Sequence, residues 1–289
     1  MKPFYSWVGG KRRVLDFIEE CLPAKFGNYH EPFLGGGAVA LHVMARHPEP
    51  TYYLSDLNKE LINAWECVRD TPEDVIEIST IHSERMDKQY FLYLRNHDRR
   101  GTLHLLSPEE RAARFITLCN NAFGGMYAEN EQGHCRSSFG MVRTLQTDNL
   151  RAVSELLNTR NVILNAQSFE RGLDHVTAGD LVYLDPPYAD DADDGTDTFT
   201  GYVKQTTQAT DTFQQAVKRY MNRLTQKGAF ALASNADTAT TRELFDGWNT
   251  ISKSIYWTLA QESRVATERL YGNYLLTQAL SDREDTIVV

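Results

Sequence analysis

Short apolar runs recur along this chain, and several are followed by a longer segment whose apolar residues fall three or four positions apart. Tyr52 to Leu54 is such a run, ending at Asp56, and the residues after it put Leu61, Ile62, Trp65 and Val68 on one helical face. Upstream, NYHEPFLGGGAVALHVMA reads as a strand, a glycine turn and a helix from Ala38 to Ala45. NVILNAQSF, DLVYLDPPY and GAFALASNAD contain further apolar runs that end in polar or aromatic residues. Before the last of these, Asp211 is expected to cap a helix carrying Phe213, Val217, Met221 and Leu224 on one face, with Gly228 ending it. Strands alternating with helices predict an α/β fold with a parallel-type sheet covered on both faces. TISKSIYW and YGNYLLTQAL add two expected strands, which an antiparallel hairpin at the sheet edge would accommodate.

From about Asn58 to Arg160 the alternation stops. The segment reads as polar and helical, then as the glycine-rich NNAFGGMYAENEQGHCRSSFG, where Gly124, Gly125, Gly133 and Gly140 suggest a hairpin or an exposed loop. The expected organisation is a domain formed by 1–57 and 161–289, with 58–160 as an inserted, mainly helical module.

Composition narrows the function classes. With 289 residues and 42% hydrophobic content, the chain can bury a large core. Its cysteines, Cys21, Cys67, Cys119 and Cys135, have no CxxC spacing and read as reduced thiols. No apolar run approaches the ~18 residues a membrane helix needs, and MKPFYSWVGGKRR holds no signal-peptide core, so a cytoplasmic location is expected. The net charge of −9 argues against nucleic acid only superficially, because Asp190, Asp191, Asp193, Asp194 and Asp197 crowd one loop. Basic residues concentrate instead between Arg85 and Arg114, Arg95 among them. Five acids and no aliphatic larger than Ala192 cannot anchor the acidic loop in a core, so it is expected to be disordered until a ligand lets it close through Phe199 to Tyr202.

The candidate chemistry lies at the end of the run Leu181 to Leu184. Pro186 and Pro187 stiffen the loop after it and hold Asp185 and Tyr188 at the strand's carboxyl end, the edge where open α/β sheets bind ligands. The Asp185 carboxylate and the Pro186 carbonyl can accept both hydrogens of one NH2 group and so aim its lone pair at an electrophile. Tyr188 supplies a flat face for a heterocycle. Gly35 to Gly37 can bring backbone close to a cofactor, and Asp56 can accept hydrogen bonds from ribose hydroxyls. No phosphate-cradling GxxxxGK[ST] occurs, and the histidines show no metal-ligand spacing, so no metal is expected.

The set KPFYSWVGGKRRVLDFI, EPFLGGGAVAL, YLSDLNKELINAW, CNNAFGGMYAENEQGHCRSSFG, VYLDPPY, FTGYV and ALASNADT resembles the Dam-type, D12 class DNA adenine-N6 methyltransferases over nearly the whole chain. The resemblance implies S-adenosylmethionine as cofactor, a Rossmann-like catalytic domain, and an inserted target-recognition domain carrying a hairpin. By position, Trp7 and Lys11 match the motif at the cofactor's methionine end, Phe33 and Gly35 the glycine loop, and Asp56 the ribose acceptor. Ser168 and Phe169 fall where the family contacts the adenine ring, and Asp185, Pro186 and Tyr188 match the catalytic motif. The implied partner is double-stranded DNA, methylated on a flipped-out adenine by a monomeric enzyme. Dam-type relatives that methylate GATC carry an arginine near NNAFGGMY, whereas Asn121 to Tyr127 has none. A relaxed or different target is therefore expected, read by Asn120, Asn121 and Arg136, with Tyr127 as a wedge, or else by Arg136 or Arg143 in the arginine's place. The competing readings are an RNA adenine or protein glutamine methyltransferase and a catalytically silent DNA-binding regulator.

Overall fold

The computed structural model describes residues 1–130, 132–188, 207–259 and 262–276. Its strands are β1 (Tyr29–Glu31), β2 (Thr51–Asp56), β3 (Asn161–Ala166), β4 (Leu181–Leu184), β5 (Phe230–Ala236), β6 (Asn249–Leu259) and β7 (Glu262–Gly272). The helices are α1 (Leu15–Glu20), α2 (Ala38–Arg46), α3 (Lys59–Asp70), α4 (Pro72–Glu84), α5 (Lys88–Arg95), α6 (Pro108–Asn121), α7 (Thr147–Asn158), α8 (Thr207–Gln226) and α9 (Ala239–Leu244). Among the described residues the strands form one seven-stranded sheet in the order β3-β2-β1-β4-β5-β7-β6. The fold is mixed α/β, with the Rossmann-like run 3-2-1-4-5 followed by a hairpin. β4 pairs in parallel with β1 and β5, and β7 runs antiparallel to both β5 and β6.

Chain packing separates two compact units. One comprises 1–10, 34–49 and 54–167, the other 11–33, 50–53 and 168–289. The helical stretch expected as an inserted module thus packs together with the glycine loop and β3 in the first unit. There, Asn58 accepts from the Glu60 and Leu61 backbone N–H groups to start α3, and Ser107 forms a capping box with Glu110 to start α6. In the second unit every residue of β4 is buried, and α8 lays Val217, Met221 and Leu224 against Val182, Leu184 and Ala231. Burying a residue such as Leu184 stabilises the unit by about 1.5–3 kcal/mol. Asp180 fixes the entry to β4 by accepting from the backbone N–H groups of Asn28 (2.7 Å) and Thr177 (2.9 Å).

Two local expectations differ from the structure. α8 begins at Thr207, so Asp211 stands inside the helix rather than at its cap; Gln208 and Ala209 ahead of it are compatible with helix. Among the described residues the last strand is ESRVATERLYG, which ends at Gly272, so 273–276 of the expected strand YGNYLLTQAL fall outside it; pairing with β5 and β6 sets this end. The expected hairpin does form, with β6 outermost. The acidic loop and Phe199 to Tyr202 lie outside the described residues.

Candidate active site

In the second unit, β4 is central and apolar; it pairs with β1 at Leu181 and Val182 and with β5 as far as Leu184, and Pro186 and Pro187, which lack an N–H, cannot donate to a continued ladder. Asp185 therefore emerges just past the sheet edge with its side chain 21% exposed. A buried cation meets it. Lys11, from the short 3-10 turn Lys11–Arg13, is 5% exposed and holds its Nζ 2.7 Å from Asp185 Oδ1 and 3.7 Å from Glu268 Oε1. The same ammonium lies over the Tyr188 ring, 4.7 Å from its centroid. Tyr188 donates its hydroxyl hydrogen to Glu268 on β7, and Ser234 on β5 also donates to Glu268. The sequence assigns Lys11 to the cofactor's methionine end and Asp185 and Tyr188 to catalysis; the structure sets the three side by side, with Glu268 and Ser234, which the sequence does not single out.

Burial is the largest influence on Asp185, Lys11 and Tyr188. It pushes Asp185 up, the Lys11 ammonium opposes it, and the Glu268 carboxylate adds to it, leaving Asp185 at about 6. Burial would lower Lys11, but the Asp185 and Glu268 carboxylates outweigh it and hold the ammonium above its ordinary value. The Tyr188 phenol is raised well above its usual value by burial and by both carboxylates, so it remains a hydrogen-bond donor.

The proline loop has a second support. Gln214, buried on α8, donates from Nε2 to the Pro187 carbonyl (2.6 Å), and Asn235 Nδ2 donates to Gln214 Oε1 (3.0 Å). In the same unit Phe33 packs on Phe169, their centroids 5.1 Å apart, and Phe213 meets both edge-on. Ser168 caps the following turn by accepting from the Glu170 N–H (3.4 Å).

The first unit holds the glycine loop. Gly35 adopts φ +47 and Gly37 φ +66, in the left-handed region that favours glycine. A Cβ at Gly37 would also lie 2.3 Å from the Trp65 ring, so this residue is fixed by packing as well as by backbone. The Tyr5 hydroxyl donates to the Gly35 carbonyl (2.6 Å) and accepts from Trp65 Nε1 (2.9 Å). Trp7 lies against the loop, its ring atoms 2.8 Å from where a Gly35 Cβ would sit. Asp56, the last residue of β2, accepts from the Gly35 N–H at Oδ2 (3.0 Å) and from the Asn58 N–H at Oδ1 (2.9 Å). Burial raises Asp56 above the ordinary carboxylate range against these N–H groups, which lower it.

The residues expected to face DNA are dispersed over the first unit. Tyr127 is 2% exposed, stacked on Trp7 and packed against Phe115, and its hydroxyl donates to Glu129. A ring so enclosed presents no wedge. Asn121 is also buried: it donates to the Thr117 carbonyl and accepts from the Arg143 N–H. Asn120 accepts from the Ser6 N–H (2.9 Å), and Arg95 donates to the Ser137 carbonyl (2.9 Å). Both brace the loop 122–140 or the chain's start rather than reaching outward. Arg136 is exposed beside a tight turn closed by Gly133 N–H donation to Asn130 O. Phe123 is 64% exposed, with Gly140 packed on its backbone.

The family model for D12 class N6 adenine-specific DNA methyltransferases matches residues 7–258. The chain is 31% identical over 252 residues to type II methyltransferase M1.LlaDCHI of Lactococcus lactis, covering 86% of each chain. It is 30% identical over 264 residues to type II methyltransferase M.MjaIII of Methanocaldococcus jannaschii, covering 86% of this chain and 89% of that one. With the DNA adenine methylase of Haemophilus influenzae it shares 28% identity over 256 residues, 85% of this chain and 83% of the other. Among the described residues no helix is long and apolar enough to cross a membrane.

Proposed function

The chain belongs to the D12 class of N6 adenine-specific DNA methyltransferases, and from that premise we propose that Asp185, Pro186 and Tyr188 perform the transfer on an adenine turned out of the duplex. The carrying observation is the Asp185 carboxylate, held past the end of β4 by buried Lys11 with the Tyr188 ring beside it. S-adenosylmethionine, the family's methyl donor, supplies an electrophilic methyl carbon.

Each unit carries residues suited to that cofactor, Asp56 and Gly35 in the first and Lys11, Phe33, Phe169 and Ser168 in the second. Asp56 accepts from the backbone N–H groups of Gly35, Leu57 and Asn58, and of its about four lone-pair sites keeps one for a ribose hydroxyl. Gly35 has no room for a side chain beside Trp7, which holds the glycine loop close to that ring. Lys11 stands against two carboxylates, so its cluster carries a net negative charge that suits a sulfonium. Phe33, Phe169 and Ser168 offer two rings and a hydroxyl to an adenine ring.

Chemistry then reduces to alignment. A stacked, paired adenine cannot present N6 in line with a methyl carbon, and extrusion costs a few kcal/mol, which stacking on Tyr188 offsets in part. Asp185 and the Pro186 carbonyl accept the two N6 hydrogens, which directs the nitrogen lone pair at the methyl group. After transfer the nitrogen sheds one proton, for which Asp185 is the adjacent acceptor. No covalent enzyme intermediate is required.

For target reading, exposed Arg136 is the residue suited to a guanine edge, and Arg143 is the alternative reader; Asn120, Asn121 and Arg95 act by shaping the loop. Exposed Phe123 takes the wedge role in place of Tyr127. Methylation-aware sequencing of DNA from cells expressing the chain tests this reading. Methylated adenine in a motif other than GATC supports it, methylation confined to GATC at every dose rejects the altered target, and unmodified adenine rejects the function.

A further inference from the structure

Glu268 takes no part in the transfer chemistry just described, yet two hydrogen bonds and an ion pair converge on its Oε1. Tyr188 Oη and Ser234 Oγ donate to that oxygen, and Lys11 Nζ stands 3.7 Å away. Its side chain is 9% exposed, and its backbone sits between Ala236 of β5 and Lys253 of β6 in the ladder. A carboxylate buried this deeply costs several kcal/mol in desolvation, so it is a poor device for stability alone.

Resting on the function proposed above, we propose that Glu268 is a positioning residue for methyl transfer: it tethers the Tyr188 hydroxyl, fixing the plane of the ring on which the target base stacks, and holds Lys11 against Asp185. The ring has only two torsions, and the tether at its far end removes the freedom of both. Lys11 takes one face of the ring, so a base stacks on the opposite one. Ser234, which reaches both Tyr188 (3.2 Å) and Glu268, closes the support from β5. The same carboxylate sets the field on Asp185. Asp185 is faced by Lys11 from the 3-10 turn, by Glu268 from β7, and by the phenols of Tyr183 and Tyr188. Of these, Glu268 brings the one other carboxyl group, and Lys11 divides its contacts between it and Asp185.

Two substitutions separate the tether from the charge. Glu268→Gln keeps an acceptor for Tyr188 and removes the charge; Glu268→Ala removes both. In carbon-13 NMR of cofactor-free, DNA-free protein, with Asp185→Asn to assign the signal, Glu268→Gln should lower the Asp185 titration midpoint by about one pH unit. In single-turnover methylation of duplex DNA, Glu268→Ala should lower kcat about tenfold or more at unchanged KM for the cofactor. Glu268→Gln should lose less and move the acidic limb of the pH profile downward. If Glu268→Ala does not fold, Tyr188→Phe removes the tether alone and should reproduce the kcat loss. An unmoved Asp185 midpoint together with kcat unchanged in Glu268→Ala or Tyr188→Phe overturns the proposal. Should the unsubstituted enzyme transfer no methyl group, the functional reading fails, and the NMR titration alone then decides the role of Glu268.

Discussion

Asp56 and Asp185 each stand at the carboxyl end of a strand, and they are held in opposite ways. Asp56 rests on neutral donors, the backbone N–H groups of Gly35, Leu57 and Asn58. Asp185 rests on one buried ammonium from the beginning of the chain, which it shares with a carboxylate from near its end. The first arrangement fixes geometry with little electrostatic coupling and suits holding a neutral hydroxyl. The second couples three charges in a poorly solvated place, where removing any one changes the other two. Binding and alignment are thereby assigned to different physics.

The sharpest way to break this contrast is to remove each carboxylate. Asp185→Ala should cut single-turnover methyl transfer about 10³-fold or more while melting temperature and cofactor binding stay near those of the parent. Asp56→Ala should leave the chemical step largely intact once the cofactor saturates. Equal losses from the two at saturation would erase the distinction. Next in size, Lys11→Ala leaves Asp185 and Glu268 without their shared cation, and urea unfolding should show a destabilisation of about 3–5 kcal/mol. A stability equal to the parent's would show that the cluster is not held by charge. Smaller still, calorimetry on Asp56→Ala should find cofactor binding weaker by about 1.5–3 kcal/mol for each charge-assisted hydrogen bond lost. Unchanged affinity would remove Asp56 from the cofactor site.

The mildest perturbation is pH. Asp185 must be ionised to accept from the amine, so kcat should fall as pH drops through about 6, whereas Asp185→Ala should lack that limb. Stability runs the other way. Because the folded-state value lies above the unfolded one, the contribution of Asp185 to stability is fully present below the unfolded value and is lost as pH rises through about 6. An activity limb unmoved by removing Asp185 would assign it to another group.

The contrast also explains what could be read from the sequence. Asp185 to Tyr188 and Gly35 to Gly37 were legible because their constraints are local: proline geometry after a buried run, and left-handed backbone before a helix. Glu268 was not, since its partners Tyr188 and Lys11 are distant in sequence and the last strand was expected in YGNYLLTQAL. Once β7 is set at Glu262–Gly272, Glu268 shares the buried face with Leu270, an acid where period-2 alternation calls for an apolar residue. Tyr127 misled for a related reason. Neighbouring glycines suggested exposure, but Trp7 and Phe115 enclose it, and no local pattern encodes those contacts.

The most direct test of the central claim is the product itself. Purified protein, duplex DNA and S-adenosylmethionine labelled in its methyl group should be incubated together, and the DNA digested to nucleosides for mass spectrometry. The account predicts label in N6-methyldeoxyadenosine with the unsubstituted chain and its loss with Asp185→Ala; label on cytosine, or undiminished adenine methylation by Asp185→Ala, would contradict it.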